Sequence, residues 1–222
     1  MKKLLILSAT ALCSSLFSQI KWKETRFGLK GGLNYSRVSN AHNPSEPRLT
    51  LQGGALALIP IGKEEQFYLQ PEVLYYGAGE TGKEKGKSGD RYSAVYGNSY
   101  ISVPLFFKAY FFSEAQAEFF GLIGPRFNFL IGQNVKNPSR PYYVPEQLPE
   151  YAGVNGKANT FGVAIGAGIG YSYKRKFEIT GQLDYGLTNT YPNLLKESGT
   201  DKAIGTKKRE IVVGVGISYI LD

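Results

Sequence analysis

Large apolar and polar side chains alternate with a period of two along most of this chain, the pattern of strands whose two faces meet different media. Phe177 to Thr188 shows it most cleanly: Phe177, Ile179, Leu183, Tyr185 and Leu187 alternate with Glu178, Thr180, Gln182, Asp184 and Thr188. The C-terminal run repeats it, with Ile211, Val213, Val215, Ile217, Tyr219 and Leu221 on one face and Val212, Gly214, Gly216 and Ser218 on the other. Arg26 to Val38 sets Phe27, Leu29, Leu33 and Tyr35 against Lys30, Asn34 and Ser36, whereas Leu49 to Ile61 is less regular. Phe67 to Gly77 opposes Leu69, Val73 and Tyr75 to Gln70 and Glu72, and Ser99 to Phe112 opposes Ile101, Val103, Leu105 and Phe107 to Ser102 and Lys108. Phe119 to Ile131 sets Ile123, Phe127 and Phe129 against Arg126 and Asn128, and Pro125 there marks a kink or bulge. In Thr160 to Tyr173 the face opposite Phe161, Val163, Ile165, Ile169 and Tyr171 is mostly glycine. Eight strands are therefore expected.

The links between them alternate in length. Gly62 to Gln66, Ser113 to Glu118 and Lys174 to Lys176 are short; Ser39 to Arg48, Ala78 to Asn98, Gly132 to Asn159 and Asn189 to Lys208 are long. In an up-and-down sheet this places every tight turn at one end and every long loop at the other, the layout of outer-membrane barrels. The fold expected is an eight-stranded antiparallel up-and-down transmembrane β-barrel.

Alternation alone does not separate a lipid-facing wall from a packed soluble core. Volume does: Phe27, Leu29, Phe107, Phe127, Phe129, Phe161, Phe177 and Tyr219 together overfill the interior of an eight-stranded barrel. Turned outward, they leave the lumen glycine, Ser, Thr, Gln and the charges Lys30, Glu72, Lys108, Arg126, Glu178 and Asp184. An unpaired buried charge is expensive, so these six are expected to form an ion-pair network that plugs the lumen, with Arg126 meeting Glu72 or Glu178. Trp22, Tyr75, Tyr100, Tyr110, Phe111, Phe119, Tyr171, Tyr173, Phe177 and Tyr219 lie near strand ends, where aromatic girdles are expected at the bilayer interfaces.

The N-terminus supports export. Met1-Lys2-Lys3 is a positive n-region and Leu4 to Phe17 an apolar stretch too short to span a bilayer, so residues 1–18 read as a signal peptide and 19–222 as the barrel domain. Cys13 is the only cysteine, which leaves the mature chain neither a disulfide framework nor a cysteine-ligated metal. The 26 Lys and Arg exceed the 18 Asp and Glu, but the excess is scattered through Gly-rich loops with no basic helix. No nucleic-acid partner is expected from it, and attraction to lipid phosphates explains it equally well.

Several segments resemble the small outer-membrane β-barrel proteins of Gram-negative bacteria, the PorT-like or outer membrane protein β-barrel family. They are Phe27-Gly28-Leu29-Lys30-Gly31-Gly32-Leu33-Asn34, Leu69-Gln70-Pro71-Glu72-Val73-Leu74-Tyr75, Ile101-Ser102-Val103-Pro104-Leu105 and Gly124-Pro125. The run Gly216-x-x-Tyr219-x-Leu221 also resembles the C-terminal signal by which such barrels are recognised for insertion, although those more often end on Phe. The resemblance implies an outer-membrane barrel shaped like OmpA or OmpX. It further implies the assembly machinery and outer-membrane lipid or lipopolysaccharide as partners, and, through the family's named member, a link to a protein-secretion and gliding apparatus.

Candidate chemistry is sparse. His42, with Ser39 or Ser45, is the one combination that mimics a rim-located lipid-modifying enzyme, and no third group is identifiable. Gly77-Ala-Gly-Glu-Thr-Gly82-Lys83 nearly spells a phosphate loop, but Glu84 stands where magnesium needs Ser or Thr, so it reads as a loop. Gly166, Gly168 and Gly170 lack dinucleotide-binding spacing. The loop Asn134 to Pro149 interleaves prolines with Arg140, Tyr142 and Tyr143, the best candidate for recognition, and Lys196, Lys202, Lys207 and Lys208 make the last loop basic. No cofactor, metal or catalytic residue is expected. The expected role is structural or interactive, through surface loops; a secretion component, a narrow channel and a lipid-modifying enzyme are the alternatives.

Overall fold

The computed structural model describes residues 21–41, 45–62, 66–85, 91–114, 117–136, 155–194 and 207–221. A short 3-10 turn at Trp22–Glu24 leads into eight strands: β1 (Arg26–Val38), β2 (Ser45–Ile61), β3 (Phe67–Lys85), β4 (Arg91–Glu114), β5 (Ala117–Lys136), β6 (Phe161–Tyr173), β7 (Phe177–Gly186) and β8 (Glu210–Ile220). Each pairs antiparallel with its neighbour in sequence, and β8 closes on β1 from Gly28↔Ile220 to Val38↔Glu210. Closure leaves no free sheet edge around the wall, which is what a strand structure needs to satisfy its backbone in lipid.

Every apolar face named from the alternation points outward. Phe27, Leu29, Val73, Ile123, Ile169, Ile179, Val215 and Ile217 are exposed, and the Phe177 and Tyr219 rings pack at a tilt across β7 and β8 with centres 4.9 Å apart. An exposed apolar belt running right round the molecule far exceeds the patches that water-soluble monomers carry. Among the described residues no helix is long and apolar enough to cross a membrane, so crossing falls to the strands.

The β6–β7 turn shows how local chemistry fixes a hairpin. Three residues link Tyr173 to Phe177, and the first two, Lys174 and Arg175, have φ of 53° and 51°, the left-handed central pair of a primed turn that Lys176 N–H closes by donating to the Tyr173 carbonyl at 3.0 Å. Non-glycine residues held there cost on the order of 1 kcal/mol each. Arg175 recovers part of this by donating from Nε and Nη2 to the two oxygens of Glu118, at 2.6 and 2.8 Å.

Three expectations need correction. The segment from Ala78 to Asn98 is not a long loop: β3 and β4 pair as far as Lys85↔Arg91, so the link is only 86–90. Gly79 takes φ 115°, where a side chain would be strained, and the pairing with β4 continues past it in unbroken register. β5 likewise runs on to Lys136, level with Thr81 of β3, and β2 starts at Ser45 opposite Gly82, so the β3–β4 hairpin runs past both of its neighbours at the loop end. Finally, Tyr100 and Tyr110 do not belong to an outer girdle; both face inward and are buried, because they share parity with Ser102 and Lys108.

Candidate functional site

The interior is the only concentrated polar chemistry among the described residues, and it is layered from the short-turn end to the loop end. Nearest the short turns, Leu56, Leu58, Tyr68, Phe106, Tyr110, Phe120, Leu122 and Ile220 form an apolar cluster inside the barrel. Tyr110 stands edge-on to both Tyr68 (5.5 Å) and Phe120 (5.7 Å). Arg26 and Arg175 both donate to the Tyr68 hydroxyl, at 2.9 and 3.2 Å. The Glu118 hydrogen bonds are the main cause that raises the pKa of Arg175, a turn residue, above its ordinary value.

Lys108 sits on this cluster. Its Nζ lies 2.6 Å from both carboxylate oxygens of Glu178 and 3.9 Å from the centre of the Phe120 ring, and the Tyr110 hydroxyl donates to Glu178 at 2.6 Å. Above it, Lys30 donates to both oxygens of Glu72 at 3.0 Å, and Gln70 donates to Glu72 at 2.6 Å. Arg126 is fully buried with Nε 3.3 Å from Asp184 Oδ1, its guanidinium 4.4 Å above the Tyr76 ring, and Nη1 donating to Ser102 at 2.9 Å. Ser102 passes a hydrogen bond to Asn128 (2.7 Å), while Tyr76 and Gln182 donate to Asp184 at 3.0 and 2.7 Å.

The six charged residues are thus brought together as Lys30–Glu72, Lys108–Glu178 and Arg126–Asp184. The expected partners of Arg126, Glu72 and Glu178, are taken by the two lysines. Asp184 reaches Arg126 across Gly166 of β6, where an added Cβ would lie 2.5 Å from its Oδ1. The sequence reading placed Ser102 on the inner face but missed Tyr76, Phe106, Tyr110 and Phe120 as interior groups. Their parity with Glu72, Lys108 and Arg126 on each strand was the signal that could have found them.

Toward the loop end a cavity of about 30 Å³ opens among Tyr76, Tyr100, Asn128, Asp184, Thr188 and Glu210, with room for one or two waters. Tyr191 and Leu194, from the segment after β7, pack with Val38, Ala41 and Ala158 beside it, and Asn98 donates to the Tyr191 hydroxyl at 3.1 Å. Of the insertion-signal residues, Gly216 faces inward against Lys30, while Tyr219 and Leu221 face outward. Arg140, Tyr142, Tyr143 and His42 lie outside the described residues. The phosphate-loop-like stretch from Gly77 to Lys83 runs within β3, in extended pairing and not as a loop before a helix. Among the described residues no group of three or more His, Cys, Asp and Glu is placed to hold a metal ion.

An apolar outer wall around a charged, hydrogen-bonded interior defines a transmembrane β-barrel, a protein that crosses a bilayer with strands. Residues 17–191 match the family described as the outer membrane protein beta-barrel domain, most of the chain, and the protein belongs to that family. It is a protein of the bacterial outer membrane. No curated protein matches it. Among solved structures it is similar to neisserial surface protein A, NspA, at 12% identity over 87% of this chain and 96% of that one, with a TM-score of 0.43. Ail of Yersinia pestis is 12% identical over 89% and 99%, TM-score 0.39, and OprG of Pseudomonas aeruginosa 11% identical over 88% and 95%, TM-score 0.40.

Proposed function

We propose that this protein is a closed outer-membrane barrel that acts as a structural or interaction module through its loop end, and that its lumen conducts nothing. One observation carries the reading: Arg126, Lys108, Phe106, Phe120, Tyr68 and Tyr76 are buried side by side inside the barrel, each at 2% exposure or less. Rings and paired charges of that size in an eight-stranded interior leave no continuous water path. The β3–β4 hairpin supports the interaction half of the reading, because its pairing as far as Lys85↔Arg91 carries strand structure past the ends of β2 and β5. In this reading the loops face the cell exterior, the barrel's partners are outer-membrane lipid and a protein docked on the loop end, and the assembly machinery recognises Gly216, Tyr219 and Leu221 during insertion.

Planar-bilayer recording tests the closed lumen. The purified protein is expected to give no unitary steps at 100 mV in 1 M KCl, and reproducible steps of constant size would overturn the reading.

A further inference from the structure

We propose that Arg37 and Arg209 form a site for the phosphate of a membrane lipid, placed at the seam where the first and last strands close the barrel. The seam's outer face is apolar as far as Tyr35 and Val213, which oppose each other and are 53% and 51% exposed. One step further along the same face comes Arg37, opposite Ile211 and exposed. The pairing continues past the end of β8, with Ser39 N–H donating to the Arg209 carbonyl at 2.8 Å and Arg209 N–H donating to Ser39 Oγ at 3.2 Å. Arg37 and Arg209 are therefore diagonal neighbours on adjacent strands, about 7–8 Å apart at their backbones and well within common reach of two long side chains.

Arg209 is already oriented. Its Nη1 donates to the Tyr185 hydroxyl at 2.5 Å and its guanidinium carbon lies 5.4 Å from the Tyr185 ring centre, so Tyr185 holds the group on the outer wall. Its Nε is buried with no hydrogen-bond partner. Among the described residues, the neighbours that the register gives the two arginines on this face are Tyr35, Leu49, Ile211, Val213 and Tyr185, none of them acidic. Lys207, exposed at the same corner and accepting a hydrogen bond from Asn40 on its carbonyl, adds a third positive charge.

Two guanidiniums at one corner, with no acidic neighbour on this face among the described residues, repel each other, and a doubly bonded oxyanion relieves that repulsion with charge-assisted hydrogen bonds. The position selects the source of the anion. Arg37 lies two residues, about 7 Å along the strand, beyond the last wholly apolar row, which is the depth where acyl chains give way to headgroups. Arginine stems at such a boundary keep their methylenes on the apolar wall and extend their charged ends to the headgroup layer. A phosphate held there bridges β1 to the approach of β8 and so fastens the barrel's seam at its loop end.

The test uses the full mature barrel in uncharged maltoside micelles, titrated with diphosphoryl lipid A, with dephosphorylated lipid A and with inorganic phosphate, and its melting is followed by the heat-dependent gel shift. The phosphorylated lipid is expected to raise the melting temperature in a saturable way, the dephosphorylated lipid and free phosphate to leave it unchanged. Arg37→Ser/Arg209→Ser is expected to weaken the apparent affinity at least tenfold, Arg37→Lys/Arg209→Lys to weaken it less, and Lys23→Ser, at the opposite end, not at all. Should the serine pair fail to fold, the lysine pair alone decides: wild-type affinity overturns the site. An equal response to free phosphate, or an undiminished response of the serine pair, overturns it as well.

Discussion

Glu178→Gln keeps the volume of the side chain and removes its charge, which isolates the interior ion pair to Lys108. The Lys108 side chain is 0% exposed and its Nζ bonds both Glu178 oxygens at 2.6 Å. Its contacts with the Phe120 and Tyr110 rings, at 3.9 and 4.9 Å, already exist in the wild type and cannot compensate. Breaking a buried pair from one side strands the other charge and costs about 3–5 kcal/mol. The Tyr110 hydroxyl can still donate to the glutamine oxygen, so the tyrosine adds at most about 1 kcal/mol to that loss. Lys108→Met should cost a similar amount, because it strands Glu178 with Tyr110 as its one remaining side-chain donor among the described residues. The double variant Lys108→Met/Glu178→Gln buries no charge at this position and should lie within about 1 kcal/mol of wild type. Urea unfolding in lipid vesicles, read from Trp22 fluorescence and the gel shift together, measures all four corners of the cycle. A loss below about 1 kcal/mol for Glu178→Gln, or a double variant whose loss equals the sum of the singles, would refute the claim that these charges form a desolvated, coupled pair.

Other outcomes follow from the two faces of the wall. Val215→Arg, on the outer face midway along β8, should cost about 2–4 kcal/mol in the same vesicles, whereas Leu187→Arg at the loop-end margin should cost about 0–1 kcal/mol; equal losses would mean the wall is not lipid-facing. Gly166→Ala sets a Cβ 2.5 Å from Asp184 Oδ1 and 2.8 Å from the Phe106 ring, and should destabilise by about 1–3 kcal/mol. Gly181→Ala, with nothing within 4 Å of the new methyl, should stay within about 0.5 kcal/mol under the same urea titration. Tyr219→Ala should lower the amount of barrel recovered from outer-membrane fractions severalfold, while Tyr185→Ala should not; equal recoveries would remove Tyr219 from the insertion signal.

Strand identity and sidedness were legible because both rest on a local property, the period of two. Arg26 to Val38 was read with the bounds that β1 has, and each outward residue named on it is exposed. The β3–β4 arms were not legible, because Gly77 to Lys83 has loop composition and becomes strand only through pairing with Ser93 to Ser99 on the neighbouring strand. Tyr110 was assigned to a girdle from its place near a strand end, although its parity with Lys108 already put it inside. The partner of Arg126 lay beyond any single-strand pattern. It depends on the stagger between β5 and β7, which no residue of either strand encodes alone.

That stagger explains why so many inward positions are glycine. Lys30 of β1 reaches Glu72 of β3 over β2, and the residue directly opposite Lys30 on β2 is Gly54. Arg126 of β5 meets Asp184 of β7 over β6, where Gly166 is the residue opposite Asp184. In both cases an ion pair joins strands that are not neighbours across a glycine on the strand between: at Gly166 an added Cβ would lie against Asp184 itself, and at Gly54 it would strike the Val73 carbonyl of β3. At Gly170 the same economy serves an apolar group: an added Cβ would strike the Phe120 ring, the ring on which the Lys108 ammonium rests. Cations, carboxylates, rings and glycines on the inner faces therefore form one packing solution. In a barrel this narrow, a side chain large enough to cross the lumen needs a neighbour with no side chain at all.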